Sequence, residues 1–198
     1  MRSALDRLVS WTGLALVVVL LVAGGLLTWA NVFVGNQVAD QLSAQDIVMP
    51  EGEALASLPE EDAAALEEFA GSPLDSGPEA RAYADHYILA HMNAASDGRT
   101  YSEVSSEYLA LSDEEKVSEE GQALGQLRQT LFMGNTLRGL LLYGFAFATI
   151  GTIAGWAAVA AFVAAAVLLA LALMGLRHAR LVAAAEAEGP AVAEPVRV

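Results

Sequence analysis

Two long uncharged apolar stretches frame a polar middle. Residues 11–34, WTGLALVVVLLVAGGLLTWANVFV, are 24 positions without a charge, more than the ~20 that cross a hydrocarbon core of ~30 Å. Residues 139–176 are 38 uncharged positions. As one straight helix they would measure ~57 Å, nearly twice that core. Between the two blocks no segment keeps a period-2 alternation of β-branched and aromatic residues, so no strand is expected. The pattern predicts an all-α integral membrane protein. Its N- and C-terminal transmembrane helices are joined by a small helical domain.

The first span is placed at 12–34. Trp11 and Trp29 stand 18 residues apart, ~27 Å along a helix, the separation of two membrane interfaces that tryptophan favours. Arg2 and Arg7 precede it, so residues 1–11 are expected in the cytoplasm and the middle region outside. A signal peptide is the rival reading, with Thr28-Trp29-Ala30 as a small-residue cleavage site. The apolar run continues past it through Phe33 and Val34 and is long for such a segment.

The second block admits two arrangements. Residues 156–176 form the second span, with 137–155 as the outer half of one long helix. Alternatively, 137–155 is an additional span and the chain turns near Gly155-Trp156. No proline or polar break interrupts 152–176. Arg177, His178 and Arg180 follow and favour the cytoplasm, which two spans satisfy. Gly144, Ala148, Gly151 and Gly155 fall at steps of 4, 3 and 4 on one helical face. Small residues in that register let helix backbones approach closely. The stripe is read as a packing face, within the chain or between copies of it. Residues 177–198, ending EAEGPAVAEPVRV, read as a disordered tail.

Helix punctuation in 35–136 is dense. The first helix is expected to run outward through Gln37, Gln41 and Gln45 and to stop before Met49-Pro50. Ser57-Leu58-Pro59-Glu60, Ser76-Gly77-Pro78-Glu79, Thr100-Tyr101-Ser102-Glu103 and Ser112-Asp113-Glu114-Glu115 each set a capping residue three before Glu. The helices they open are expected to end near Ala70, Ser96 and Leu111. The last is expected to run into the apolar block.

Charge sharpens the division. The chain carries a net −14. Residues 40–128 hold 20 acidic and 4 basic side chains, a net of −16, against 4 acidic and 6 basic elsewhere, a net of +2. The middle domain is therefore acidic, disfavouring nucleic acid and anionic lipid headgroups. With no cysteine, thiolate metal sites and cysteine catalysis are excluded.

Candidate chemistry is confined to RAYADHYILAHMNAASDGRTYSE, residues 81–103. On an α-helical wheel Tyr83, Ala84, Tyr87, Ile88, His91, Ala94 and Ala95 share one face, while Asp85, His86, Leu89 and Asn93 fall largely opposite. His91 is thus expected on the buried side, as a core residue or a pH sensor, and His86 at the surface. The two imidazoles are five apart, ~140° around the helix, rather than the i, i+3 or i, i+4 of a helical chelate. Asp97-Gly98 reads as a turn, since an EF-hand register centred on Gly98 would need ligands at Ala95 and Val104. No nucleophile elbow, zinc-protease helix, phosphate loop or dinucleotide fingerprint is present. No catalytic residue, cofactor or metal is expected.

The span running into VADQLSAQDIVM, the segments GPEARAYADHYILAHM and GRTYSEV, and LRGLLLYGFAFATIGTIAGWAAVAAFVAAAVLL together resemble a family of small actinobacterial membrane proteins of unassigned function. The match covers most of 12–178. Members of that family often carry the name "aromatic ring-opening dioxygenase LigA". Such chemistry needs a site like two histidines and a carboxylate converging on one iron. His86 and His91 diverge and His178 falls at the cytoplasmic edge, so the name does not transfer as an activity. The expectation is a non-enzymatic plasma-membrane protein with an extracytoplasmic domain. Its partners would be the bilayer and a second copy or another membrane protein. The alternative is an extracytoplasmic metal-dependent enzyme or a metal- or pH-sensing domain.

Overall fold

The computed structural model describes residues 2–188, with side chains for 5–185. Every regular element in it is helical, and two of the helices are long and apolar enough to cross a membrane. These are α1 (Arg2–Ser43) and α8 (Glu119–Glu188). Seven short elements come between: α2 (Glu53–Ala56), α3 (Glu60–Glu67), α4 (Gly77–Ala82), a π-helical segment (Tyr83–Ile88), α5 (Leu89–Ser96), α6 (Tyr101–Ala110) and α7 (Asp113–Lys116). The chain forms two compact units, Met1–Asn31 with Thr152–Val198, and Val32–Gly151.

In the first unit α1 and α8 run antiparallel. Gly175 abuts Ser10, Gly13 abuts Ala172, Gly24 lies under the Phe162 ring, and Gly155 meets Asn31. Burial repeats every seventh residue on both helices: Ser10, Val17 and Gly24 on one, Ala158, Ala165, Ala172 and Ala179 on the other. A seven-residue repeat of inward positions is the signature of a left-handed supercoiled pair. The side chains at these contacts are small, so the backbones pack closely. The opposite faces expose large apolar groups, among them Leu16, Val19, Leu26, Val163 and Leu173.

The second unit holds two hydrophobic clusters. One joins Leu42, Met49, Leu66, Leu74, Ala80, Ala84 and Leu141; the other joins Met92, Val104 and Leu131. Ile88 packs against both. A single antiparallel bridge, Val48 to Pro73, ties the segment after α1 to the one before α4.

Several boundaries differ from the sequence expectation. α1 ends at Ser43, and Asp46 turns the chain with φ 53, which brings Met49 into the core rather than leaving it as a helix stop. Ser57 does not cap α3. Its hydroxyl donates to the Ala54 carbonyl at 2.9 Å, and Pro59 takes the N-cap position. The other three capping boxes form as expected, at Ser76/Glu79, Thr100/Glu103 and Ser112/Glu115. α7 does not run on into α8. Ser118 donates to the Glu115 carbonyl and accepts from the Gly121 amide, closing one helix and opening the next. A Cβ at Gly121 would collide with the Glu115 carbonyl, so only glycine fits that corner.

α8 is unbroken for 70 residues. It has no turn at Gly155-Trp156. It also carries helix through 177–188, where the composition suggests a disordered tail; the rest of that tail, 189–198, lies outside the described residues.

Candidate functional site

The π-helical segment Tyr83–Ile88 is the one departure from α geometry inside a helix among the described residues, and such bulges often mark functional positions. Its cause is legible in the packing. Ala80, Ala84, Met92 and Ser96 are buried and Ile88 is partly so, a strict spacing of four. At 100° per residue such a row drifts ~40° per step off an α-helical face. One wide turn restores the phase. Beyond it the inward face moves by one residue, from His91 and Ala95 to Met92 and Ser96. His91 is therefore exposed, contrary to the wheel, and the expected burial fails for that reason.

Polar groups around the wide turn are tied to other elements. His86 is not a free surface residue; its Nδ1 lies 2.9 Å from the Asp62 carboxylate of α3, with both side chains largely sheltered. From α8, the Arg138 Nε donates to the Ala84 carbonyl and its Nη2 to Asp85, each at 2.9 Å. Arg138 and Asp85 are 20% and 31% exposed, dry enough for a fork-shaped donor to outperform a point charge. Arg81 sits 5.0 Å from the Phe145 ring centroid. α8 thus grips the segment from both sides.

An aromatic ladder runs from the edge of the core, at Tyr83 and Tyr87, out to the exposed His91. Tyr83 and Tyr87 stack at 4.7 Å, and Tyr87 and His91 meet at 4.4 Å between centroids. Burial, with a smaller repulsion from Tyr87, pushes the Tyr83 phenol above its ordinary value. The Tyr87 carbonyl can only accept, so the His91 Nδ1 carries the proton of their 2.8 Å bond.

Glu79, 8% exposed, anchors the start of α4. It accepts from Ser72 Oγ, Ser76 Oγ and the Asp75 and Ser76 amides at 2.9–3.0 Å. Burial pushes its carboxyl up, but these four donors together outweigh burial and leave it below the usual carboxylate value.

The residues singled out in the sequence divide among several places. Gly144 faces Leu42, Ala148 faces Gly77, and Gly155 faces Asn31; Gly151 is buried. The stripe thus packs within the chain, and it continues beyond the four named positions through Ala158, Ala165, Ala172 and Ala179. Beyond Gly155 the small residues recur at every seventh position, with Phe162, Leu169 and Leu176 at the intervening steps. Trp11 and Trp29 are both exposed, as is Trp156. His178 lines a hollow of about 310 Å³ with Asp6 and Ser10, apart from the other two histidines. Among the described residues no three His, Asp or Glu side chains converge on a metal position. The roles of Asp62 and Arg138 are invisible in the sequence, because 24 and 54 residues separate each from its partner.

No family model, curated protein or solved structure matches the chain.

Proposed function

We propose that the chain is a plasma-membrane protein of two spans that holds a rigid acidic helical domain outside the cell membrane as a scaffold or accessory subunit, without catalysis of its own. The observation that carries this is the pairing of the tryptophans with the helix contacts. The Asn31–Gly155 contact lies within one turn of Trp29 and Trp156, which are 64% and 72% exposed. At the other end the Ser10–Gly175 contact lies beside Trp11 and just ahead of Arg177. Both helices thus cover ~27–29 Å between these limits, one hydrocarbon thickness. An unbroken α8 supports two spans over three. The cations at each helix's far end favour the cytoplasm.

The scaffold reading rests on how the titratable groups are used. Asp62, His86, Asp85, Arg138 and Glu79 each bond to another element or cap a helix start, and a group so committed fixes shape. Reporter fusions within 60–70 and at 190 test the topology. Opposite sides of the membrane are expected, with 60–70 outside. The same side at both positions, or 60–70 in the cytosol, overturns it.

A further inference from the structure

In the second unit a groove of about 440 Å³ runs between α1 and α8, within the ~300–1,000 Å³ range of small-molecule sites. No charged side chain lines it, although the unit it belongs to, 32–151, holds 20 acidic and 5 basic side chains, a net of −15. Its character changes along its length. One end, next to the proposed span, is Phe33, Val34 and Phe147; further along α1 come Gln37, Gln41 and Gln45, with Tyr143 across from them. Phe147, Tyr143 and Leu140 are 57%, 67% and 58% exposed. Asp40 lies between the glutamines, and the ion-paired Arg138 is two residues from Leu140. Charges there place this stretch outside the hydrocarbon, so the apolar floor is not ordinary lipid-facing surface.

We propose that the groove takes one hydrocarbon chain of a lipid drawn from the adjoining bilayer, with an uncharged or zwitterionic headgroup against the glutamine amides. This rests on the membrane-anchored reading above. Three features select that occupant. The apolar end is continuous along α1 with the span. Amides and a phenol are neutral donors and acceptors that suit ester, hydroxyl or phosphocholine groups. The surrounding acidity repels an anionic headgroup.

The test uses the full chain in phosphatidylcholine vesicles, some of whose lipid carries a photoreactive group at the end of one acyl chain. Label is expected on the groove residues of α1 and α8 as well as on the spans. Gly144→Leu fills the floor, where a Cβ meets only Leu42 at 3.6 Å, and Gln41→Glu adds a charge without changing size. Each should cut groove label roughly tenfold, the equivalent of about 1.4 kcal/mol, and leave span label and helix content intact. Span label without groove label overturns the proposal. So does a cross-link between two copies through Tyr143, which would make a second chain the occupant. Release of the chain by alkaline carbonate, with span label lost too, overturns the anchored reading and this proposal with it. That outcome is distinguishable from a failure of the groove alone.

Discussion

The Arg138 Nε donates to the backbone carbonyl of Ala84 at 2.9 Å, across 54 residues of sequence. A wide helical turn leaves its carbonyls less regularly matched to amides than an α turn does, and a guanidinium from α8 supplies an extra donor there. The same side chain pairs with Asp85, so one residue ties both the backbone and a charge of the π segment to α8.

Removing that donor leaves the Ala84 carbonyl with the Leu89 amide alone and Asp85 with only the longer Arg81 contact at 3.8 Å. Arg138→Ala should destabilise the domain by about 1.5–3 kcal/mol, the range for hydrogen bonds to charged groups. Arg138→Lys keeps the charge but cannot reach both acceptors as a planar fork, and should recover less than half of the loss. Thermal unfolding by circular dichroism in detergent reads both. Wild-type behaviour in Arg138→Ala would mean that the contact holds nothing in place.

The Glu79 knot predicts a dependence on acid. Its carboxyl lies below the ordinary value when folded, so the unfolded chain binds the proton more readily. The stabilisation is complete above the unfolded value, ~4.3, and is lost as pH falls through the lower folded value. Glu79→Gln should be less stable at pH 7 by about 1–3 kcal/mol, since four donors face a weaker acceptor. The difference between variant and wild type should shrink below pH 4. A gap that stays constant from pH 7 to 3 would show that ionisation of Glu79 is not what stabilises α4.

Helix pairing in the first unit depends on side-chain size at named glycines. A Cβ at Gly13 would meet Ala172 at 3.4 Å, an ordinary contact, while one at Gly24 would sit 2.8 Å from the Phe162 ring. Gly13→Ala should be near neutral. Gly24→Leu and Gly155→Leu should each cost about 1–3 kcal/mol, the usual penalty of overpacking. Helix association in detergent, followed by thermal aggregation, is the measurement; equal tolerance at Gly13 and Gly24 would contradict the packing.

The chain has no cysteine, which makes the antiparallel register directly testable. Ser10→Cys with Gly175→Cys should form a disulfide on mild oxidation in membranes, because those positions touch. Ser10→Cys with Gly155→Cys should not, because Gly155 faces Asn31 instead. Gel mobility with and without reductant separates the two.

Local signals were sufficient wherever a feature depends on neighbours in sequence. Three of four capping boxes, the turn at Asp97-Gly98, the helical class and the small-residue stripe could all be read from a few adjacent residues. Those features follow from backbone stereochemistry and residue size, which act over one or two turns. The fourth box failed because Ser57 had a nearer acceptor, the Ala54 carbonyl, in a short helix that no pattern announced.

What the sequence alone determined, then, is the helical class and the split between apolar ends and acidic middle. Hydrophobicity and charge are summed along the chain and need no fold. Tertiary structure decided the π turn, the exposure of His91, the reach of Arg138 and the pairing of Asp62 with His86. Each comes from fitting a second element against the first. A buried row repeating every four residues is compatible with several helix geometries until Val104, Leu131 and Leu141 pack against it. Only then does one wide turn become the arrangement that keeps Ala84, Ile88 and Met92 facing the core together.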